Sequence, residues 1–444
     1  MINPKSEFSA TSAAAIYERA LAVMPGGCSR NTVFRNPHPI YAARGEGCYL
    51  IDIEGRRRID FANNMAALIH GHAAPAIVAA VTEQLKLGTG YTMATEVEVQ
   101  YAEYMCGRVP SFDKIRFVNS GTEAVMCALK AARAFTGRPK IAKVEGAYHG
   151  LYDYAEISQT SQPANWGNAE RPASVPVTHG TPQSAVADVV VIPFNDIQRA
   201  IAILDEHAAE LACVLIDLVP HRVGLMPASP EFVAGLREWT RKKNVLLVLD
   251  EVITLRCRFG GAQEMFGIEP DLTAMGKMIG GGFPVGALAG RDDVMSVMDP
   301  RAEPVLFPHS GTFSANPITM VAGLTAMRAF DQAAVDRLNQ LGERARAGLT
   351  EAIGIAGAPA CVTGAASMFR IHMKETPPAN YRDAYVSAVE KSMRQVFLDH
   401  MLDSGVLLVN TCTGMLSTAM TEVEIDTLAE VAVQGFKKIK DKIK

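Results

Sequence analysis

The sequence lacks the features of several large classes of protein. Its 43 basic and 47 acidic residues leave no basic excess, so we expect no nucleic-acid partner. It has no apolar run of roughly 18 residues and no basic leader before an apolar core, so we expect neither a membrane partner nor a signal peptide. The eight cysteines form no CxxC pair and several lie in apolar runs, which indicates reduced thiols in a cytoplasmic protein and no metal site.

The order of apolar segments indicates the class of fold. The chain has 444 residues, 48% of them hydrophobic and 20% charged, which allows two domains with a sizeable core. Between about residues 75 and 320, short β-branched or leucine-rich runs alternate with segments of helical spacing. This alternation predicts an α/β domain with a parallel sheet covered on both faces. A long helical stretch over residues 317–355 and short strands after it predict a smaller α+β domain, which the opening segment joins.

One lysine and one aspartate have unusual surroundings. Lys277 is followed by the three glycines at 280–282, which would let a planar ligand approach, and Asp250 ends an apolar run 27 residues before Lys277. Pyridoxal phosphate needs an amine for a Schiff base and an acid partner for its ring nitrogen. Taken singly, Lys277 reads as a solvated surface lysine and Asp250 as a helix cap. The pair therefore indicates a cofactor site only if a phosphate cradle and a ring-stacking group accompany it.

Two hydroxyl-rich turns and a tyrosine supply those groups. Ser120, Gly121 and Thr122 stand at a strand-to-helix junction, where free backbone N–H groups and the helix dipole attract an anion. An ordinary N-cap has the same pattern. A second turn contains Thr312, and Tyr148 lies after the next strand, beside a glycine-rich turn. Because parallel strands bind ligands at their carboxyl ends, we expect the serine turn, the tyrosine and the aspartate to converge.

Together these motifs resemble those of the class III, fold-type-I pyridoxal-phosphate aminotransferases over nearly the whole chain. The matching strings are NSGTEA at 119–124, YHG at 148–150, LDEV at 249–252, GK at 276–277, GGGFPVGA at 280–287 and GTF at 311–313. Their order and spacing agree with the family. The resemblance implies a large, mostly parallel-sheet domain over residues 70–317 that binds the cofactor. It also implies a smaller α+β domain made of residues 1–69 and 318–444.

The resemblance implies roles for individual residues as well. Lys277 would form the Schiff base with pyridoxal 5'-phosphate and move the proton, and Asp250 would bond the pyridine nitrogen. Such enzymes are homodimers with a shared active site. The other implied contacts are Val252 and Tyr148 on the two faces of the ring, and Ser120, Gly121, Thr122 and Thr312 of the partner subunit on the phosphate.

Two subgroups of the class fit the sequence best. The strings MPGG at 24–27 and QEMFG at 263–267 resemble glutamate-1-semialdehyde aminomutases. PGGCSR at 25–30 also resembles β-amino-acid aminotransferases of the β-phenylalanine type, in which an arginine after the serine clamps the substrate carboxylate. Arg30 occupies that position, whereas the aminomutase arginine lies further on, where this chain has TVF at 32–34. Arg30 therefore favours the β-amino-acid interpretation over the aminomutase one, and the alternative for Arg30 itself is a surface turn residue.

Two departures from the family pattern leave the substrate open. The β-phenylalanine enzymes have a second arginine near the C-terminus, where this chain has VNTCTG at 409–414, so a bidentate clamp for a second carboxylate is missing there. Where class members read Glu-Pro, this chain has DLVPHR at 217–222. The arginines that could substitute are Arg222, Arg256, Arg258 and Arg370, and the sequence does not choose among them.

These observations predict an aminotransferase with a ping-pong mechanism. A β-amino acid or an amine would donate the amino group, and an α-keto acid would accept it. Two other reactions use the same residues, namely intramolecular amino transfer as in glutamate-1-semialdehyde 2,1-aminomutase, and racemisation or epimerisation. A non-catalytic protein on the same scaffold is a further alternative. Such a protein would be expected to have lost Lys277 or Asp250, and both are present.

Overall fold

Three β-sheets and the helices around them make up the described part of the chain, which in this computed structural model is residues 12–443. Residues 1–11 and 444, which belong to the predicted smaller domain, lie outside it. The strands are β1 (Ala42–Glu46), β2 (Tyr49–Asp52), β3 (Arg57–Asp60), β4 (Lys114–Val118), β5 (Lys140–Val144), β6 (Val189–Ile192), β7 (Leu211–Ile216), β8 (Leu246–Asp250), β9 (Leu272–Gly276), β10 (Gly286–Gly290), β11 (Cys361–Thr363), β12 (Met368–His372), β13 (Val406–Leu407) and β14 (Thr413–Met415).

Fifteen α-helices connect these strands within residues 12–443. They are α1 (Ala13–Leu21), α2 (Asn63–Ala66), α3 (Pro75–Leu87), α4 (Glu96–Arg108), α5 (Gly121–Thr136), α6 (Asp153–Glu156), α7 (Gln183–Ala187), α8 (Ile197–His207), α9 (Pro230–Lys243), α10 (Ala262–Phe266), α11 (Asp292–Met295), α12 (Pro317–Ala329), α13 (Gln332–Ala356), α14 (Ala388–Asp403) and α15 (Glu422–Ile443). In this part of the chain, no helix is both long and apolar enough to cross a membrane.

The largest sheet has seven strands in the order β4-β10-β9-β8-β7-β5-β6. The five strands from β9 to β6 are parallel, and β10 runs antiparallel to both of its neighbours. Every residue of β7 and β8 is buried, as continuous apolar strands require when helices cover both faces of a sheet. The prediction of a large, mostly parallel sheet in an α/β fold is therefore confirmed.

The two smaller sheets join distant parts of the sequence. One has the order β1-β2-β3-β13, in which β13 pairs in parallel with β3, and the other has the order β11-β12-β14. The N-terminal and C-terminal segments thus share a sheet, which supports their assignment to one smaller domain. The helical stretch predicted over 317–355 is two helices, because the Asp331 side chain accepts the N–H of Ala334 at 2.8 Å and starts α13 as a new helix.

Six strands of the large sheet end at the same edge. Because β10 reverses direction between β4 and β9, strand β4 points the same way as the parallel group. The carboxyl ends of β4, β5, β6, β7, β8 and β9 therefore lie along one side of the sheet. The chain segments that follow these strands contain most of the residues predicted to bind a cofactor.

Candidate active site

A cavity of about 430 Å³ opens at this edge of the sheet, which is large enough for a small organic ligand. Eight of the nine predicted site residues form part of its wall. They are Arg30, Ser120, Gly121, Thr122, Tyr148, Asp250, Val252 and Lys277. The ninth, Thr312, does not line the cavity and lies in an exposed turn before α12.

Asp250 is held by two hydrogen bonds at the end of the central strand β8. Its Oδ1 accepts the N–H of Val252 at 3.0 Å, and its Oδ2 lies 2.8 Å from Nδ1 of His149. Burial lowers the pKa of His149, so the imidazole is neutral and donates its Nδ1–H to the carboxylate. These bonds fix the orientation of the Asp250 carboxylate, which also faces the cavity.

Two further carboxyl groups lie beside Asp250. Burial and the nearby charge of Asp250 raise the pKa of Asp217 well above its usual value. Burial raises the pKa of Glu251 to about 7, although this carboxylate accepts N–H groups from Ala262 and Gln263. Both groups therefore resist ionisation, which concentrates the negative charge of this region on Asp250.

Lys277 follows the last residue of β9 and has a left-handed backbone with a φ of 52°. For a residue with a side chain, this conformation costs about 1–3 kcal/mol and is found mainly at functional sites. Burial lowers the pKa of the Lys277 ammonium, while Asp250 and Asp217 oppose that shift. The neutral amine, which is the nucleophilic form, is therefore easier to reach here than in a solvated lysine.

The N-terminus of α5 forms a third part of the wall. Ser120 caps this helix by accepting the N–H of Glu123 at 3.1 Å, so the N-cap interpretation is correct as well. The N–H groups of Gly121 and Thr122 have no partner within the helix, and the positive end of the helix dipole adds to them. A Cβ at Gly121 would lie 2.9 Å from Cγ1 of Val252, so glycine permits this close packing.

The ring of Tyr148 is held by two neighbours. The imidazole of His221 meets it edge-on at 5.7 Å, and the guanidinium carbon of Arg222 lies 4.7 Å from the ring centroid. Since Arg222 lies over one face, a planar ligand would have to stack on the other. An anion site, an oriented acid, an amine and an aromatic wall thus surround one cavity, and they fit pyridoxal 5'-phosphate.

Of the arginines proposed for the substrate, only Arg30 lies on the cavity wall formed by residues 12–443. Its Nη1 donates to Oδ1 of Asn64 at 2.7 Å. The other four arginines are behind the wall or away from it. Arg256 bonds to Ser367 and to the Leu416 carbonyl, Arg370 bonds to the His221 carbonyl, Arg258 is exposed, and Arg222 lies over Tyr148.

One segment of the wall has no counterpart among the residues predicted from the sequence. Residues 63–66 all have positive φ, from 44° to 71°, and this turn brings Asn64 and Met65 to the cavity. None of the four is a glycine, and the left-handed backbone costs about 1–2 kcal/mol for an ordinary residue. Asn63 and Asn64 tolerate this backbone, but Met65 and Ala66 do not favour it, so the sequence carries only a weak turn signal here. Asp217 and His221, noted only as departures from a family pattern, also line the cavity.

Comparison with known proteins identifies the family. The sequence matches the family model "Aminotransferase class-III" over residues 32–439. The chain belongs to the class-III aminotransferase family. A glutamate-1-semialdehyde 2,1-aminomutase from Methanothermobacter thermautotrophicus is 39% identical over 398 residues, covering 88% of this chain and 90% of that protein.

Two solved structures resemble this class-III aminotransferase closely. An omega-transaminase from Sphaerobacter thermophilus has a TM-score of 0.95 and 48% identity over 97% of this chain and 98% of its own. A β-phenylalanine aminotransferase from Variovorax paradoxus has a TM-score of 0.84 and 36% identity over 95% and 92%. Family membership confirms the predicted enzyme, fold type I and the pyridoxal-phosphate cofactor. The roles of single residues stay predictions.

The assignment of the Schiff-base lysine can be tested by chemical labelling. Borohydride should fix the cofactor of the yellow holoenzyme to Lys277. Lys277→Ala should keep some cofactor by noncovalent contacts but lose about 10²- to 10⁴-fold in turnover through the lost proton transfer alone. Peptide mass spectrometry and steady-state rates measure both effects.

Lys143 provides an internal control for that labelling. It is fully buried, burial lowers its pKa to about 7, and its Nζ donates to the carbonyls of Ala147 and Ile157. It does not line the cavity and should stay unlabelled. Cofactor found on Lys143 or any other lysine would refute the assignment.

Asp250→Asn should slow the proton-transfer step while leaving donor binding nearly unchanged. A neutral amide cannot replace a charge-assisted hydrogen bond worth about 1.5–3 kcal/mol, which corresponds to roughly 10- to 100-fold in rate. Stopped-flow absorbance of the first half-reaction measures this step. The control is Glu251→Gln, which should lower the melting temperature without slowing that step. Equal half-reaction rates in Asp250→Asn and the parent would remove Asp250 from the mechanism.

Proposed function

We propose that this enzyme transfers an amino group from a β-amino acid or an amine to an α-keto acid by a ping-pong mechanism. The observation that carries the proposal is the position of Arg30 on the same cavity wall as Lys277 and Asp250. A guanidinium suits a carboxylate, and it would hold one that is a carbon further from the amine than in α-amino acids.

Each of the side chains around the cavity would have a separate role in this reaction. When bound, pyridoxal 5'-phosphate supplies an electron sink for the negative charge that develops on the donor carbon. Nζ of Lys277 would take the proton from that carbon and deliver it to the cofactor carbon that receives the amino group, and it would reverse this transfer with the keto acid. The Asp250 carboxylate would keep a proton on the ring nitrogen of the cofactor. Ser120, Gly121 and Thr122 would hold the phosphate.

The main alternative is an intramolecular amino transfer. It is favoured by one specific observation, the 39% identity to a glutamate-1-semialdehyde 2,1-aminomutase. Two observations favour intermolecular transfer instead. The omega-transaminase is 48% identical over nearly the full length of both chains. In addition, Arg30 stands where the β-amino-acid enzymes have their carboxylate-binding arginine, and residues 32–34 contain no arginine.

We also propose that the enzyme is a cytoplasmic homodimer. Large apolar side chains are exposed along α3, α4 and the segment between them, including Leu87 (73% exposed) and Met93 (84%). Phe313, next to Thr312, is 65% exposed. Exposed apolar side chains grouped in this way are typical of a subunit interface. All eight cysteines are free thiols, as a reducing compartment requires.

The proposed reaction can be tested with two donors of one skeleton, 3-amino-3-phenylpropanoate and 1-phenylethylamine, and pyruvate as acceptor. Turnover of each donor should require pyruvate. Arg30→Ala should lower kcat/KM for the acid about 10- to 100-fold, since a charged hydrogen bond is worth about 1.5–3 kcal/mol, and should leave the amine nearly unchanged.

The control for that variant is Arg258→Ala, an exposed arginine outside the cavity wall. It should change neither donor. Equal losses for acid and amine in Arg30→Ala would exclude the carboxylate role. Conversion of glutamate-1-semialdehyde to its amino isomer, together with no transfer to any keto acid, would show the aminomutase reaction instead.

Thr312→Val should weaken cofactor retention by about 1 kcal/mol if Thr312 of the partner subunit donates one neutral hydrogen bond to the phosphate. Cofactor loss should also follow dissociation of the dimer on dilution, measured by absorbance and analytical ultracentrifugation. Thr427→Val is the matched control, because the Thr427 hydroxyl donates only to the Val423 carbonyl within α15. A monomer that keeps its full complement of cofactor would contradict the shared site.

A further inference from the structure

Two hydrogen-bonded side chains, Arg30 and Asn64, form one edge of the cavity. A guanidinium has only donors, so the atom of Asn64 that meets Nη1 at 2.7 Å must be the amide oxygen. Both residues line the cavity. Within the described residues, Arg30 forms no ion pair with any carboxylate. Its positive charge is therefore held in place by a neutral group and is not cancelled.

The backbone that carries Asn64 is held at the cavity by hydrogen bonds of the preceding residues. Oδ1 of Asp60 accepts the N–H groups of Ala62 and Asn63 at 2.9 and 3.0 Å, and Nδ2 of Asn63 donates to the Met415 carbonyl at 2.6 Å. Asn64 itself has a φ of 47°. These bonds anchor the start of the left-handed turn of residues 63–66, so the backbone position of Asn64 is set by the fold.

We infer that Asn64 is a specificity-determining residue that selects donors bearing a carboxylate. It would act by positioning the Arg30 guanidinium, and the Nδ2 donors of its amide, which have no partner in residues 12–443, would be available to the same carboxylate. This inference rests on the proposed function, since it takes Arg30 as the carboxylate-binding residue. The amide of Asn64 would thus perform part of the role that the second arginine has in the β-phenylalanine enzymes.

The proposed role of Asn64 depends on its side chain being uncharged. An aspartate at position 64 would keep the contact with Arg30 but turn it into an ion pair. The guanidinium would then be satisfied by the protein, and the added negative charge would repel an incoming carboxylate. Donors that lack a carboxylate would meet neither effect. The exchange of one amide for a carboxylate should therefore change substrate selection without changing the chemistry at Lys277.

Two substitutions at position 64 separate these effects, and both fit a left-handed backbone. Asn64→Gly removes the amide without adding strain, and Asn64→Asp adds the charge. The assay compares 3-amino-3-phenylpropanoate with 1-phenylethylamine, each with pyruvate. For the acid, kcat/KM should fall about 2- to 10-fold in Asn64→Gly, as expected for one hydrogen bond, and further in Asn64→Asp. The fall should appear in KM, and kinetics with the amine should stay within about twofold of the parent value.

Three controls complete the experiment. Asn168→Asp adds the same charge to an exposed loop asparagine and should change neither donor. Cofactor absorbance and melting temperature should match the parent in both Asn64 variants. In the double variant Arg30→Ala, Asn64→Gly, the free-energy loss for the acid should be smaller than the sum of the two single losses, because Asn64 acts in part through Arg30.

The outcomes distinguish this inference from the proposed function. Selective loss of the acid in Arg30→Ala, with equal effects on both donors in Asn64→Asp, would overturn the role of Asn64 alone. Independent, additive effects of the Arg30 and Asn64 substitutions would overturn the positioning role as well. If Arg30→Ala affects acid and amine equally, the proposed carboxylate site itself is wrong, and the inference falls with it.

Discussion

The architecture of this site depends on the cost of burying the Asp250 carboxylate. A buried ion costs several kcal/mol unless hydrogen bonds and charges compensate for it. Here the Val252 N–H and the His149 imidazole supply the bonds, and the ammonium of Lys277 supplies an opposite charge. Burial raises the pKa of Asp217 beside it well above the usual value, which favours the neutral form of that carboxyl. The central strand of the sheet thus ends in one oriented negative charge, which is what a protonated pyridine ring needs.

The antiparallel strand β10 determines where the other parts of the site lie relative to Asp250. It allows β4 to end at the same edge as β9, so the helix that begins at Gly121 starts beside the lysine turn. A Cβ at Gly276 would lie 3.3 Å from Cα of Gly121, so the two backbones almost touch. The start of α5 and the backbone of Lys277 are therefore fixed relative to each other by backbone packing.

The sequence predicted those parts of the site that follow directly from strand ends. Ser120, Tyr148, Asp250 and Lys277 each come just after or at the end of an apolar run, and such runs are local signals. Asn64 could not be found in this way, because its turn is stabilised by Asp60 and by a carbonyl more than 350 residues away. Helices α12 and α13 were predicted as one stretch because no glycine or proline separates them.

The sequence could also not show which arginine can contact the substrate, because that depends on which side of the cavity wall each guanidinium lies. Arg222, Arg256 and Arg370 are mostly buried, and burial lowers the pKa of each. From behind the wall they raise the electrostatic potential of the cavity, but they offer no hydrogen bond to a ligand. Arg30 offers both a charge and free donors at the cavity edge. A general positive potential attracts any anion, whereas only a donor in contact can fix the position of a carboxylate relative to the reacting carbon. We therefore expect the arrangement around Arg30 and Asn64 to have more influence on the choice of donor than the number of arginines in the fold.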